Sequence, residues 1–140
     1  MNNAVPKKGD IGFLDFNPQS GVEQAGHRPC IILSPESFNY ATGLAIVCPI
    51  RTRSGDWPFE VALPPGLNIT GYILTDQLRS VNWRARNFNK RDEAPEEVLE
   101  SCMDLIHTFY RNELSCFLNP YRNLGTGFLS IMAMCLSSPS

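Results

Sequence analysis

The feature that most constrains the fold of this chain is a series of short apolar segments, each bounded by Gly, Pro or Asn. Five such segments lie at residues 10–17, 28–34, 43–50, 58–63 and 71–82. Short runs rich in β-branched and aromatic residues between turn-forming residues are typical of strands. Two of the runs are continuously apolar, which indicates strands in the centre of a sheet. We therefore expect a mainly β protein, built as a small antiparallel barrel or sandwich.

One long helix is expected, at about residues 95–110. Pro95 suits a first helical position, because the amide proton that proline lacks would be unpaired there, and Glu96 and Glu97 suit the positive helix start. Apolar residues then recur at intervals of three and four, which gives a single stripe to pack on the sheet. The stripe consists of Leu99, Cys102, Met103, Ile106 and Phe109 or Tyr110. Residues 34–40 begin with Ser-Pro, a helix-start pattern, and predict one or two further turns.

Length and composition bound the domain count and the class of protein. The chain has 140 residues, of which 43% are apolar, which is enough for one globular domain with a modest core. No basic start precedes an apolar run near the N-terminus, and the late apolar run at 127–136 is about half the ~20 residues of a membrane span. We expect a soluble, cytoplasmic protein.

The cysteines indicate neither a disulfide framework nor a metal site. There are five, an odd number without CxxC spacing, at positions 30, 48, 102, 116 and 135. At least three stand in apolar strand or helix contexts, where a thiol behaves as a small hydrophobic group. We expect no zinc site and no cofactor.

The charges are segregated along the chain although the net charge is only -2. Residues 51–91 hold seven basic residues against three acids, whereas residues 92–104 hold six acids and no base. Because screening acts over roughly 10 Å, a local excess of positive charge can attract a polyanion whatever the total charge is. A solvated surface explains the same pattern. The basic residues are Arg51, Arg53, Arg79, Arg84, Arg86, Lys90 and Arg91.

The segment between the first two predicted strands brings together groups suited to cleaving RNA. Glu23, His27 and Arg28 lie within six residues. RNA can be cut without a metal when its 2'-hydroxyl is deprotonated, attacks the phosphorus and the transition state is stabilised by fixed positive charge. Arg28 can supply that charge through a forked donor, and Glu23, His27 or Asp76 can move protons. A surface histidine and an arginine in an ion pair at a strand end are the competing interpretations.

Motifs in residues 8–109 resemble the MazF/PemK family of type II toxins. The chain carries KGDIGFLDFNPQSG, EQAGHRPCIILSP, PFEV, TDQLRSVNWRAR and APEEVLE in this order. The resemblance implies a partly open β-barrel of the CcdB/PemK toxin type with a C-terminal helix, in a toxin domain at residues 1–110. It also implies a homodimer that cuts single-stranded mRNA sequence-specifically and without metal, leaving a 2',3'-cyclic phosphate. The implied partner is a MazE-like antitoxin whose disordered segment folds across the groove.

The resemblance also implies roles for individual residues. Arg28 matches the catalytic arginine of the family, Glu23 and His27 match neighbours associated with proton transfer or substrate contact, and Asp76 is a candidate base. The other matched or neighbouring polar and aromatic positions are expected to contact RNA through phosphates or stacked bases. These are Asp15, Asn39, Thr52, Arg53, Gln77, Arg79, Trp83, Arg84 and Arg86. Trp83 suits the core or a dimer interface equally well.

Arg51 marks a departure from the family pattern. The second catalytic residue of the family is a threonine, and with equal spacing to PFEV that position holds Arg51, with Thr52 one residue later. If both lie in a strand, a shift of one residue turns the side chain to the other face, so Thr52 would not replace the missing hydroxyl. Loss of one such donor costs on the order of 100- to 1,000-fold in rate. We therefore expect an attenuated enzyme.

Residues 111–140 form a second departure, because no resemblance covers them. Their apolar stretch FLSIMAMCL either packs or promotes association. Three alternatives to the enzyme remain at this stage: a relative that only binds antitoxin or RNA, a gyrase poison of the CcdB type, and a small structural barrel.

Overall fold

The computed structural model describes residues 4–16 and 26–110, so Glu23 and the C-terminal extension lie outside the described residues. The first half holds β1 (Asp10–Phe16), β2 (Gly26–Ile32), helix α1 (Glu36–Thr42) and β3 (Leu44–Arg51). The second half holds β4 (Glu60–Ala62), β5 (Tyr72–Leu74), a 3-10 turn (Thr75–Gln77), β6 (Arg79–Asn82), β7 (Asn89–Glu93) and helix α2 (Glu96–Tyr110). The fold is mainly β with a C-terminal helix, as expected.

The seven strands form one antiparallel sheet that does not close into a barrel in the described part of the chain. The strand order is β4-β5-β3-β2-β1-β7, and β6 pairs with β3 off this path. Along β3, the first half pairs with β6 and the last two residues pair with β5. This central strand therefore has β2 on one side and two successive partners on the other.

Two elements differ from the sequence expectation. The predicted strand at 71–82 is divided into β5 and β6 by the 3-10 turn, where buried Thr75 donates hydrogen bonds from Oγ1 and N to the Phe59 carbonyl, at 2.6 and 3.2 Å. β7 has the sequence NKRDE and was not predicted, because it lacks an apolar alternation. It pairs with β1, and Gly12 permits the close approach, since a Cβ there would lie 2.2 Å from the Asn89 carbonyl oxygen.

Each face of the sheet carries its own apolar core. On one face, which we call the helix face, Ile11, Ile31, Cys48 and Ile50 pack with residues of α2 that include Cys102 and Ile106. On the opposite face a smaller cluster consists of Leu14, Cys30, Ile32, Ala45, Val47, Val81, Trp83 and Phe88. Side chains alternate between the faces of a strand, so the assignment of a residue to one core fixes the face of its neighbours.

The described cysteines are buried free thiols. Cys30, Cys48 and Cys102 are fully buried. Burial raises the pKa of the Cys102 thiol to about 12, and it raises the pKa of the other two thiols further. These groups stay protonated near neutral pH and act as small apolar side chains. Among residues 4–16 and 26–110, no cluster of three potential metal ligands is present, and neither helix has the length and hydropathy needed to cross a membrane.

Candidate functional site

The strand register places Arg28 and Arg51 on the same face of the sheet, on adjacent strands. Arg28 lies opposite Leu14 in the β1–β2 pair. In the β2–β3 pair Cys30 lies opposite Pro49, and continuing this antiparallel register by two residues puts position 51 opposite position 28. Leu14 and Cys30 belong to the smaller core, so both arginines lie on the face opposite the helix.

A third arginine belongs to the same face. Arg79 of β6 lies opposite Val47 of β3, another residue of the smaller core. Neighbouring strands β2, β3 and β6 therefore contribute Arg28, Arg51 and Arg79 to one surface, which we call the cationic face. Arg28 is exposed, and among the described residues no carboxylate lies within ion-pair distance of it. Within residues 4–16 and 26–110, therefore, no acidic side chain neutralises this guanidinium.

Arg51 differs from Arg28 because it is already paired. Its guanidinium donates to a Glu60 carboxylate oxygen at 2.7 Å, and the Glu60 side chain is only 9% exposed. Glu60 also accepts hydrogen bonds from Ser54 Oγ at 2.5 Å and from the Gly55 amide at 3.2 Å. Burial alone would raise the pKa of the Glu60 carboxyl, but these hydrogen bonds and the charge of Arg51 hold that pKa below its ordinary value. The charge of Arg51 is thus largely neutralised within the chain.

Thr52 and Arg53 follow the end of β3 and are exposed. The expectation that strand alternation turns Thr52 to the other face is wrong in its premise, because the strand ends at Arg51. The direction of Thr52 is set instead by the bend that leads into the loop at 52–59.

His27 and Asp15 form a pair on the helix face. His27 lies opposite Asp15 in the β1–β2 register, and Nδ1 of His27 is 3.0 Å from Oδ1 of Asp15. Asn87 Nδ2 donates to the other Asp15 oxygen at 3.0 Å. Consecutive residues of a strand point to opposite faces, so His27 and Arg28 leave the sheet in opposite directions. The structure therefore does not bring together these two neighbours in sequence.

Asp76 and Gln77 are exposed on the 3-10 turn. The charge of Asp76 acts on Cys48, where it adds to the effect of burial in raising the pKa of that thiol. Cys48 belongs to the helix-face core. The 3-10 turn that carries Asp76 contacts α2, the helix of the helix face, and in the described part of the chain Asp76 makes no ion pair with Arg28.

Asn39 and Trp83, both expected in the RNA groove, lie in the interior. Asn39 has no exposed surface and donates from Nδ2 to the carbonyls of Pro6, at 2.8 Å, and Ser34, at 3.1 Å. Its Oδ1 accepts from Ser34 Oγ at 2.5 Å, and its carbonyl accepts from Trp83 Nε1 at 2.9 Å. Trp83 is 3% exposed. This placement differs from the expectation, because a fully hydrogen-bonded interior side chain presents no surface to RNA.

We predict that Asn39→Ala lowers the free energy of unfolding by at least about 2 kcal/mol, since it leaves buried hydrogen-bonding groups of Pro6 and Ser34 without partners. Denaturant unfolding measures this change. Ser37→Ala, an exposed position on the same helix, is the control and should change stability by less than about 0.5 kcal/mol. Unchanged stability with weakened RNA binding in Asn39→Ala would instead place Asn39 in the groove.

Two further basic residues lie in the turn between β6 and β7. The Arg84 guanidinium stands over the Trp83 ring, 5.0 Å from its centroid. Arg86 donates from Nη1 to the Asp15 carbonyl at 3.1 Å, so part of its donor capacity holds this turn to β1. The exposed residue Arg84 is therefore better placed than Arg86 to meet a ligand.

Glu60 is the residue of this region that sequence reasoning missed. The signal was present, because Glu60 is the acid of PFEV and one of only three acids among the seven bases of residues 51–91. Its link to Arg51, nine residues earlier, depends on the antiparallel return of the chain through β4 and β5.

The described fold is a small antiparallel sheet with three arginines on the face opposite its C-terminal helix. Residues 7–110 match the PemK-like, MazF-like toxin family of type II toxin–antitoxin systems, and the chain belongs to this family. It is 46% identical over 99 residues to the endoribonuclease toxin MazF of Escherichia coli K12, covering 70% of this chain and 88% of that protein. It is 31% identical over 107 residues to the Escherichia coli endoribonuclease PemK, and the match covers 73% of this chain and 80% of PemK.

Solved structures show the same likeness. A MazE–MazF structure (Form-II) from Deinococcus radiodurans matches with a TM-score of 0.73 at 40% identity, covering 77% of this chain and 97% of that chain. The MazF structure (Form-I) from the same organism matches with a TM-score of 0.72 at 40% identity, and the match covers 77% of this chain and 98% of that chain. The expected family and fold class are thereby confirmed.

Proposed function

We propose that this protein is the toxin of a type II toxin–antitoxin system and an endoribonuclease that cuts single-stranded RNA by attack of a 2'-hydroxyl, without a metal. The observation that carries the proposal is the exposed Arg28 on the cationic face, in a chain whose relatives are endoribonucleases. A planar guanidinium can donate two hydrogen bonds to a phosphate and stabilise the charge that develops when the 2'-oxygen attacks.

The remaining steps need a base, an acid and further phosphate contacts. We propose that Glu23 or Asp76 transfers the protons, because His27, although Asp15 orients it at 3.0 Å, leaves the sheet on the face opposite Arg28. Phosphate and base contacts are proposed for six exposed or partly exposed polar residues of the strands and their connecting loops. These are Thr52, Arg53, Gln77, Arg79, Arg84 and Arg86. Asn39 and Trp83 are assigned instead to the interior network that supports the sheet.

We propose that cleavage is attenuated by Arg51. Its guanidinium occupies the position where the family pattern has a threonine, and the ion pair with Glu60 withdraws its charge from the RNA. The chain therefore lacks a hydroxyl donor at position 51 and gains little phosphate affinity in exchange.

A MazE-like antitoxin and a second copy of this chain are the proposed protein partners. The solved MazE–MazF complex of the Deinococcus radiodurans relative supports the antitoxin. For the homodimer, Tyr40 and Leu44 offer exposed apolar surface, at 68% and 37% exposure. The proposed place of action is the cytoplasm, where mRNA is translated.

The test is cleavage of a long single-stranded RNA by the purified protein in the presence of a metal chelator. We expect slow cutting at a restricted set of sequences, with 2',3'-cyclic phosphate and 5'-hydroxyl ends identified by mass spectrometry. A matched duplex should stay intact, because its bases and backbone cannot enter a groove for splayed nucleotides. Binding of the single strand with no cutting at any enzyme concentration would instead identify a binding-only relative.

A further inference from the structure

The Glu60 carboxylate gathers three donors from the loop between β3 and β4. The donors are the Arg51 guanidinium at 2.7 Å, Ser54 Oγ at 2.5 Å and the Gly55 amide at 3.2 Å. Ser54 Oγ also accepts from the Asp56 amide at 3.2 Å. A single side chain thus connects the end of β3, the middle of the loop and the start of β4.

Gly55 and Arg51 are also in close packing contact within this region. The Gly55 backbone lies directly against the Arg51 guanidinium, and a Cβ at Gly55 would be 2.5 Å from Nη2 and 3.0 Å from Cζ of Arg51. Arg51 Nε is buried and has no hydrogen-bond partner in the described residues. The guanidinium of Arg51 thus contacts the Gly55 backbone and the Glu60 carboxylate, while the side chain as a whole stays 40% exposed.

The end of the loop next to β4 is held by one backbone hydrogen bond and by aromatic contacts as well. The Glu60 amide donates to the Trp57 carbonyl at 3.1 Å, and Trp57 contacts Phe59 edge to face at 5.5 Å between ring centroids. Phe59 in turn contacts Phe109 of α2 at 4.5 Å. At the other end of the loop, directly after β3, Thr52 and Arg53 are exposed.

We infer that Glu60 is a positioning residue, which holds the loop at 52–59 through Arg51, Ser54 and Gly55 and so fixes where Thr52 and Arg53 meet the RNA backbone. This inference rests on the proposed function for its RNA part. Its physical basis is preorganisation: a loop already ordered before binding loses less conformational entropy when it contacts the ligand. The carboxylate acts through the loop and does not touch the RNA.

The experiment compares three variants with the unchanged protein. Glu60→Ala removes all three acceptor contacts, and Glu60→Gln keeps an oxygen acceptor but loses the charge. Gly55→Ala keeps every charged group and pushes the Arg51 guanidinium away from its place, because that side-chain end is what its new methyl would meet. Glu97→Gln, an exposed position on α2, is the control for the loss of one negative charge.

The first readout concerns the loop without RNA. We expect faster hydrogen exchange of the Gly55 amide and stronger acrylamide quenching of tryptophan fluorescence in Glu60→Ala, and smaller changes of the same sign in Glu60→Gln and Gly55→Ala. Quenching reports the loop, because Trp57 is 40% exposed whereas Trp83, the second of the two tryptophans, is 3% exposed. Unchanged exchange and quenching in Glu60→Ala would overturn the inference.

The second readout is affinity for a fully 2'-O-methylated single-stranded oligonucleotide, which lacks the attacking hydroxyl. We expect binding weakened by about tenfold in Glu60→Ala, weakened less in Glu60→Gln, and unchanged in Glu97→Gln. If Glu60→Ala shows faster exchange and stronger quenching but unchanged affinity for the oligonucleotide, the proposed role of Glu60 in RNA binding is overturned. If the unchanged protein itself neither binds this oligonucleotide nor cuts RNA, the proposed function fails and the RNA role of Glu60 fails with it, while the first readout still decides whether Glu60 orders the loop.

Discussion

Arg28→Ala is expected to lower the rate of RNA cleavage by about 100- to 1,000-fold, the loss that follows removal of one preorganised transition-state donor. Arg28 lies at the exposed end of β2 on the cationic face, and no described carboxylate competes for its guanidinium. Single-turnover cleavage of a single-stranded RNA measures the effect, in the unchanged chain and in an Arg51→Thr background where the rate is higher.

Two control variants test whether the effect of Arg28 comes from its two parallel N–H donors or only from its positive charge. Arg28→Lys keeps the charge but cannot donate in parallel to two phosphate oxygens, so we expect an intermediate rate. Lys8→Ala removes a cation from an exposed position outside the cationic face and should leave the rate close to that of the unchanged chain. Since Arg28 is exposed, its replacement should also leave the unfolding midpoint nearly constant. Undiminished cleavage in Arg28→Ala would remove this residue from the site.

Arg51→Thr is expected to raise the cleavage rate by at least about tenfold, the low side of what a transition-state donor supplies. The substitution introduces a hydroxyl at the position that the β2–β3 register puts opposite Arg28. It also removes one partner of Glu60, but Ser54 and the Gly55 amide remain, so the loop keeps two of its three contacts with that carboxylate. The buried, unpaired Arg51 Nε disappears at the same time.

Arg51→Val is the matched control, because valine has the shape of threonine without the hydroxyl. If the attenuation reflects the missing hydroxyl, only Arg51→Thr accelerates cleavage; equal acceleration by both variants would show that the bulk or charge of arginine is responsible. We expect Thr52→Ala to reduce cleavage far less than Arg28→Ala does. A flat response to Arg51→Thr, combined with loss of cleavage in Thr52→Ala, would make Thr52 the catalytic hydroxyl.

The local elements were largely predictable from the sequence. β1, β2, β3 and α2 were predicted to within about two residues, because their apolar periodicity and their Gly, Pro and Asn boundaries are properties of neighbouring residues. The two misjudged elements have different causes: β7 carries only polar side chains and so lacks a local signal, whereas the 3-10 turn inside the predicted strand at 71–82 depends on a contact between Thr75 and the distant Phe59.

The candidate site was predictable in its residue types and only partly in its arrangement. Arg28 and the missing threonine at position 51 followed from motif and spacing. The sequence by itself thus determined the strands, the helix and the family pattern. Only the tertiary structure separated His27 from Arg28 by face, moved Asn39 and Trp83 into the interior and paired Arg51 with Glu60. The first of these follows from the start of β2 at Gly26, two residues before the predicted start. The others depend on contacts between distant segments, which form only when the whole sheet is assembled.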